Sequence, residues 1–174
     1  MVDLIALLSD AIRNPVVYFL LVFVYAILIA IILPIPIETA LLLPLEQGSL
    51  TLFTVALFAV ALGKAVGAWI VFLLGLKVEG AITKWSTRFK TVARIVTLME
   101  RFVRWSGTIG LYTLLSIPLM SDTLPIYFYA LFNKEGKALD QRQFILSNFL
   151  AGFNRVALLF LLALTLWPGL IRIP

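Results

Sequence analysis

The sequence predicts an all-α integral membrane protein: one helical bundle that contains two re-entrant hairpins in an inverted repeat and an interfacial amphipathic helix. Three observations carry this prediction. The 174 residues are 62% hydrophobic, with a mean hydropathy of +1.07, whereas soluble domains are about 45–50% apolar. Three windows with at most one charge reach the length of a membrane span. Prolines interrupt two further apolar segments between these windows.

Residues 15–33, 50–76 and 143–171 are the predicted spans. The first carries no charge, the second is interrupted only by Lys64 and the third only by Arg155. Each exceeds or approaches the roughly 20 residues that a helix needs to cross the hydrocarbon core. The start of the sequence lacks a basic stretch and a small-residue cleavage site, so we expect no cleaved signal peptide.

Two proline-containing segments lie between the spans and predict the re-entrant hairpins. Residues 34–48 contain Glu38, and residues 107–132 contain Asp122. A proline removes a backbone donor and restricts the residue before it, so a continuous helix is not expected in either segment. Broken backbone at membrane depth is tolerated only where protein or water covers it. The predicted hairpin-breaking residues are Pro34, Pro36, Pro44, Pro118 and Pro125.

The distribution of basic residues predicts the orientation. Residues 77–106 hold seven of the fourteen lysines and arginines, and basic segments next to spans face the cytoplasm. Residues 133–142 add three more, so both flanks of the hairpin 107–132 are expected on the cytoplasmic side, as is the N-terminus. Within 78–105, apolar residues recur at alternating spacings of four and three beside basic residues, which predicts an amphipathic helix on the inner membrane surface.

Four charged residues are each the lone charge in or beside an apolar segment: Glu38, Lys64, Asp122 and Arg155. One unpaired charge at the bilayer centre costs about 2.5–3.5 kcal/mol, so we expect the four to meet in one cluster near the midplane. In each half of the chain, an acid in a hairpin precedes a base in the following span. Because the two hairpins are expected to open to opposite sides, this order predicts an inverted repeat, a plan that places a transporter site at the midplane.

Each of these residues has a structural and a functional interpretation. Glu38 and Asp122 either cap broken helices or exchange a proton. Lys64 and Arg155 either form permanent ion pairs or bind an anionic substrate. Asn148 lies seven residues before Arg155, on the same helical face, and is the third predicted substrate-binding residue.

Small residues and missing residue types limit the remaining possibilities. Ala59, Gly63 and Gly67 are spaced four apart, which predicts close packing against another helix. Cysteine and histidine are absent, which removes disulfides and Cys- or His-based metal sites and nucleophiles. We therefore expect no metal, no cofactor and no enzymatic activity. The expected partners of the basic segment are anionic membrane lipids and not nucleic acid, and an oligomer stays open.

Two strings of sequence resemble a known family. PIPIETALLLPL…ALGKAVGAWIVFLLG and YTLLSIPLMSDTLPIYFYALF…NFLAGFNR are similar to the two re-entrant blocks of the DedA/VTT superfamily and of its small multidrug exporter branch. The resemblance covers about residues 30–160 and implies two facing re-entrant hairpins in a helical bundle, with Glu38 at the position of the family's re-entrant glutamate. The arginine-containing block of many bacterial members is replaced by the stretch around Asp122, and Lys64 stands where a Gly-Asp pair is common.

The resemblance implies a carrier or scramblase that moves an anionic lipid, a polyprenyl phosphate or a phospholipid, across the plasma membrane of a prokaryote. Lys64, Arg155 and Asn148 would bind the headgroup, and Glu38 or Asp122 would couple a proton or gate the site. Two alternatives stay open. One is a proton-coupled exporter of small amphipathic compounds that uses the same carboxylates, and the other is a membrane scaffold that transports nothing.

Overall fold

The computed structural model describes residues 11, 13–32, 41, 44, 47, 49–88, 90–133, 136 and 138–166, and the regular secondary structure of these residues is helical. The all-α fold class is thereby confirmed for these residues, which contain five helices and no strand. The helices are α1 (Pro15–Ile31), α2 (Leu50–Arg88), α3 (Lys90–Ser116), α4 (Thr123–Phe132) and α5 (Gln141–Leu166).

Among the described residues, two helices are long and apolar enough to cross a membrane, judged by length and composition. They are the stretch Leu50–Lys77 of α2 and the stretch Gln141–Leu162 of α5. Helix α1 is also apolar but has 17 residues, and α4 has ten. The structure therefore supports possible membrane association, while the prediction of a third span at 15–33 and the orientation stay predictions.

Helix α1 begins at a well-defined cap and packs closely on α2. The Asn14 side-chain oxygen accepts hydrogen bonds from the first turn, and Pro15 occupies the first helical position, where its missing N–H costs no intrahelical bond. A Cβ added to Gly63 would lie 2.6 Å from the Ala26 Cβ, and one added to Gly67 would lie 2.5 Å from the Ala30 Cβ. The absence of side chains on these two glycines lets the helices approach.

Helix α2 is longer than the predicted span. It continues without a break through residue 77 to Arg88, and α3 begins at Lys90. The predicted surface helix 78–105 is therefore divided between the end of α2 and the first part of α3. Extending an existing helix adds one hydrogen bond per residue fixed, whereas starting a new helix is unfavourable. A change from apolar to basic residues therefore does not end a helix.

Helix α3 changes direction at Gly107, where φ is 51° and ψ is −144°. A Cβ at this position would meet no atom within 4 Å, so the backbone conformation and not the available space requires glycine. The segment after the break, residues 108–116, is followed by a turn and by α4. Residues 108–132 thus form a helix–turn–helix at the position of the second predicted hairpin, whose location in a membrane stays a prediction.

Both prolines of this helix–turn–helix occupy positions that helical geometry allows. Pro118 lies in the turn, and Pro125 is the third residue of α4, where no intrahelical hydrogen bond from the backbone nitrogen is needed. The first predicted hairpin, residues 34–48, lies outside the described residues except for Leu41, Pro44 and Gln47. The inverted repeat, which depends on that hairpin, stays a prediction.

Helix α2 contacts each of the other four helices and forms the centre of the described bundle. Glycines again mark the close approaches. A Cβ on Gly75 would lie 2.7 Å from the backbone oxygen of Ala130 on α4, and one on Gly152 of α5 would lie 3.1 Å from the Cα of Ala61. These contacts bring α4 and α5 against the same helix that carries Lys64.

Candidate functional site

Three of the four predicted charged residues meet inside the bundle. A single oxygen of Asp122, Oδ1, accepts a hydrogen bond from Lys64 Nζ at 3.1 Å and one from Arg155 Nη1 at 2.6 Å. Lys64 lies in the middle of α2, Asp122 immediately precedes α4, and Arg155 lies in α5. The cluster therefore joins three helices. Glu38, the fourth predicted member, lies outside the described residues.

The cluster is sealed from solvent. The relative exposure is 0% for Lys64, 1% for Asp122 and 1% for Arg155. Burying charges is costly unless they are paired, and removing one member of a buried pair typically destabilises a protein by about 3–5 kcal/mol. The two short contacts to Asp122 offset that cost, so each member depends on the others for its place in the core.

Arg155 also binds the backbone of the turn between α3 and α4. Its Nη2 donates to the carbonyl oxygen of Ile117 at 2.6 Å and to that of Met120. The turn contains Leu119 at a φ of 62°, a region that side-chain-bearing residues rarely adopt. The guanidinium group thus holds both the Asp122 carboxylate and the turn from which Asp122 projects.

The Lys64 side chain reaches the cluster past a glycine on α5. A Cβ at Gly152 would lie 3.5 Å from Lys64 Cδ, so the hydrocarbon part of the lysine lies against the bare backbone of that helix. Long basic side chains commonly pack their methylene groups on apolar surface while the charged end reaches a polar partner. The small residue on α5 therefore helps to place the ammonium group beside Asp122.

Near the turn and on α5, three buried oxygen atoms make no hydrogen bond to any residue that the structure describes: Ser121 Oγ, Asp122 Oδ2 and Asn148 Oδ1. Leaving a buried polar atom unpaired costs about 1–3 kcal/mol, so such atoms are rare in native structures and call for an explanation. Asn148 is fully buried, and its amide nitrogen donates to the Phe144 carbonyl of its own helix at 2.9 Å. Both described cations thus contact Asp122 Oδ1, and neither makes a hydrogen bond to Oδ2.

Helix α4 is fixed to the end of α1 by two residues that the sequence reasoning did not single out. Thr123 Oγ1 donates to the Ile29 carbonyl, and the Tyr127 hydroxyl donates to the Ile31 carbonyl, both at 2.8 Å. The last carbonyls of a helix lack intrahelical partners, so these side chains complete the end of α1. A polar residue directly after Asp122 in an apolar segment was the available signal for Thr123.

The structure gives the positions of the predicted site residues, whereas their roles stay predictions. Lys64, Asp122 and Arg155 come together, Asn148 is buried on α5, and Ala59, Gly63 and Gly67 lie along the buried side of α2. Within the described residues, no group of three acidic side chains gathers that could hold a metal ion. The described arrangement is one buried carboxylate oxygen shared by two cations.

In the described residues, the fold and this site define a class: an α-helical protein with two helices that are long and apolar enough to cross a membrane and with a buried ion cluster that joins them. No protein-family model, no curated protein and no solved structure matches the chain.

Proposed function

We propose that the protein is a membrane lipid transporter that moves an anionic lipid headgroup, that of a polyprenyl phosphate or a phospholipid, past the buried charge cluster. The observation that carries the proposal is the single carboxylate oxygen that holds both Lys64 and Arg155. The two cations lie on the two helices that are long and apolar enough to cross a membrane. The protein moves the lipid as a carrier or scramblase, and no covalent bond is formed or broken.

The mechanism is an exchange of anions. A phosphate headgroup and a carboxylate are alternative partners for an arginine and a lysine, because both present oxygen atoms that accept charge-assisted hydrogen bonds. Asp122 is the internal anion of the closed state. A headgroup that enters replaces Asp122 Oδ1, and the carboxylate replaces the headgroup when it leaves.

Protonation offers a way to couple this exchange to a proton gradient. Asp122 Oδ2 is buried and makes no hydrogen bond to the described residues, so it is the oxygen at which a proton could bind without displacing either cation. A neutral carboxyl group holds the cations less strongly than a carboxylate does. Glu38 remains the second proposed proton-coupling residue, and Asn148 the third proposed headgroup ligand.

Arg155 links the cluster to the conformation of the chain. Because one guanidinium group binds both Asp122 and the carbonyl groups of the turn 117–120, loss of the carboxylate contact frees part of the arginine to move with the turn. The helix–turn–helix of residues 108–132 is then the element that opens the site. A membrane position for this element, re-entrant from the cytoplasmic side, belongs to the proposal.

A second candidate is a scaffold that transports nothing, and the seal around the cluster favours it. At 0–1% exposure, the three charges in the observed state meet neither solvent nor lipid. The hydrogen bonds of Arg155 to the turn are those of a structural clamp. The carrier and the scaffold predict different transport activities when one cation and the carboxylate are neutralised together.

Transport in reconstituted vesicles distinguishes the two functions. The assay follows the movement of a headgroup-labelled polyprenyl phosphate and of a labelled phosphatidylglycerol, with Lys64→Gln as the test variant. Lys77→Gln is the control, because Lys77 is an exposed lysine on the same helix. We expect a loss of at least tenfold for Lys64→Gln and no change for Lys77→Gln.

A paired variant keeps the test valid if Lys64→Gln folds poorly. The double variant Lys64→Gln with Asp122→Asn removes one positive and one negative charge together, so neither of these two partners is left charged and alone. A stable double variant that has lost transport supports the carrier. A stable double variant with full transport of both lipids contradicts the carrier and supports the scaffold.

A further inference from the structure

Helix α3 carries a second apolar strip that the sequence pattern alone did not reveal. The apolar residues that the sequence predicts at alternating spacings within 78–105 include Val96, Met99 and Val103; Val103 is buried in the core, and the other two are half-buried. On another side of the same helix, a strip of large apolar side chains is exposed by 43–83%: Ile95, Leu98, Phe102 and Trp105. A contiguous exposed apolar surface of this kind marks an interaction site.

This strip leads into a groove between α3 and α4 with a volume of about 490 Å³. The groove begins at Phe102 and Trp105 and extends past the break at Gly107 to Ile109 and Thr113. Gly110 lines the groove, and a Cβ there would overlap the Tyr129 hydroxyl and the Ser106 side chain. The groove therefore lies beside the break in α3, where a glycine lets α3 approach Tyr129 of α4.

The hydroxyl groups at the base of the groove are hydrogen-bonded to other protein atoms. The Ser106 hydroxyl donates to the Phe102 carbonyl at 2.8 Å, and its oxygen lies 2.7 Å from the Tyr129 hydroxyl. Since the single serine proton is used by the carbonyl, Tyr129 donates to Ser106. Both hydroxyl protons are thus satisfied within the protein, and the groove presents apolar atoms to whatever enters it. This surface suits a hydrocarbon chain and offers little to a polar ligand.

Exposed arginines are the immediate neighbours, along α3, of the first two residues that line the groove. Arg101 and Arg104 are exposed and immediately precede Phe102 and Trp105, and Arg94 is exposed two turns earlier. Glu100 is the one acidic residue between 93 and 116, so this part of α3 carries three positive charges and one negative charge, a net charge of +2. An apolar channel next to exposed arginines is complementary to an amphiphile with an anionic head.

We propose that this groove binds one acyl chain of an anionic phospholipid, with the lipid phosphate on Arg101 and Arg104. Arginine binds phosphate through paired N–H donors, and tryptophan favours the boundary between hydrocarbon and headgroup, where Trp105 lies between the two features. The site is separate from the buried charge cluster, and the proposal holds for a transporter and for a scaffold. The occupant is a lipid from the surrounding membrane.

Quenching of Trp105 fluorescence by brominated lipid tests the proposal. The protein used carries the substitutions Trp69→Phe, Trp85→Phe and Trp167→Phe, so Trp105 is its only tryptophan. It is titrated in mixed micelles with phosphatidylglycerol or phosphatidylcholine whose acyl chains are brominated identically. We expect saturable quenching by phosphatidylglycerol at a concentration at least tenfold lower than by phosphatidylcholine.

Two variants separate the headgroup from the chain. Arg101→Gln combined with Arg104→Gln should remove the preference for phosphatidylglycerol, while Arg142→Gln, at an exposed arginine of α5, should retain it. Thr113→Phe places a ring in the groove and should weaken quenching by both lipids at least threefold. Thr97→Phe is its control, because Thr97 is an exposed threonine of α3 that does not line the groove.

Three results would overturn the lipid site. If both lipids quench Trp105 equally and Thr113→Phe does not change the quenching, then Trp105 contacts only the surrounding lipid, without selectivity. A change of oligomeric state in Thr113→Phe, measured by light scattering and accompanied by unchanged lipid titrations, would assign the groove to a contact between copies of the chain. Glycerol phosphate, which has no acyl chain, should not compete with the lipid; full competition would also contradict a groove that recognises the chain.

Discussion

At the scale of single residues, Asp122 is the centre of the described charge cluster. It is the one described anion between two cations, and both contact the same oxygen. The desolvation of three charges is tolerated because the carboxylate contacts both cations at once, and because Nη2 of Arg155 donates to two backbone carbonyls. The stability of the core and the proposed exchange of anions thus depend on one side chain.

Replacing Asp122 with Asn should destabilise the protein by about 3–5 kcal/mol, because it leaves two buried cations without their shared anion. The measurement is unfolding by denaturant in a fixed detergent. Asp140→Asn is the matched control: Asp140 is exposed and its Oδ1 accepts from the Gln143 backbone at 2.7 Å, a cap that asparagine provides equally well. Equal unfolding midpoints for the two variants would contradict the structural dependence on Asp122.

Replacing Arg155 with Lys tests the forked geometry at constant charge. An ammonium group cannot bind Asp122 and both carbonyls of the turn from a single planar donor set, so we expect a loss of about 1.5–3 kcal/mol, the value of a hydrogen bond to a charged group. Arg142→Lys, at an exposed position of α5, should change the unfolding midpoint little. If the Arg155→Lys variant is as stable as the unmodified protein, the positive charge alone suffices, and the hydrogen bonds to the turn carbonyls contribute no stability.

At the scale of elements, the glycines of this chain act in two different ways. Gly107 is required by its backbone conformation and faces open space, whereas Gly63 is required by the closeness of α1 to α2. The first kind of glycine sets the direction of a helix, and the second sets the distance between two helices. Gly152, whose Cβ would lie 3.1 Å from the Cα of Ala61 and 3.5 Å from Lys64 Cδ, belongs to the second kind.

Gly107→Ala and Gly63→Ala should therefore respond differently to a compensating change. The first costs about 1–3 kcal/mol through backbone strain. The second costs about 1–3 kcal/mol or more, because a methyl group would overlap Ala26 and the Phe23 carbonyl. Adding Ala26→Gly should restore part of the unfolding midpoint of Gly63→Ala and should further lower, or leave unchanged, that of Gly107→Ala. Equal responses of the two variants would refute this distinction.

At the scale of the whole molecule, α2 organises the described bundle. It contacts the other four helices, carries Lys64 and continues beyond its apolar part to Arg88. The same helix therefore connects the buried charges with the basic part of the chain. If α2 crosses a membrane, its basic end and the start of α3 lie at one surface.

Labelling of introduced cysteines tests this arrangement, since the chain contains none of its own. Cysteines at Arg94 and Gln141, both exposed, should react with an impermeant thiol reagent only from the cytoplasmic side, because the flanks of both positions are basic. A cysteine at Leu50, exposed at the other end of α2, should react only from the opposite side. Labelling of positions 94 and 141 from opposite sides would refute the re-entrant interpretation of residues 107–132.

The sequence by itself determined the helical class and the candidates for the charge cluster. Hydropathy identified the long apolar segments, and the cost of isolated charges in such segments singled out Lys64, Asp122 and Arg155. Pro118 marked the turn before α4. These inferences succeed because each depends on a property of one residue or of its immediate neighbours along the chain.

Only the tertiary structure decided how these parts meet. It placed both cations on Asp122 Oδ1, set Arg155 on the turn carbonyls and fixed α4 to the end of α1 through Thr123 and Tyr127. It also showed that α2 runs on to Arg88 and that α3 exposes a second apolar strip. The reason is physical: these features depend on the distances and angles between helices far apart in sequence, and local hydropathy, charge and spacing do not specify them.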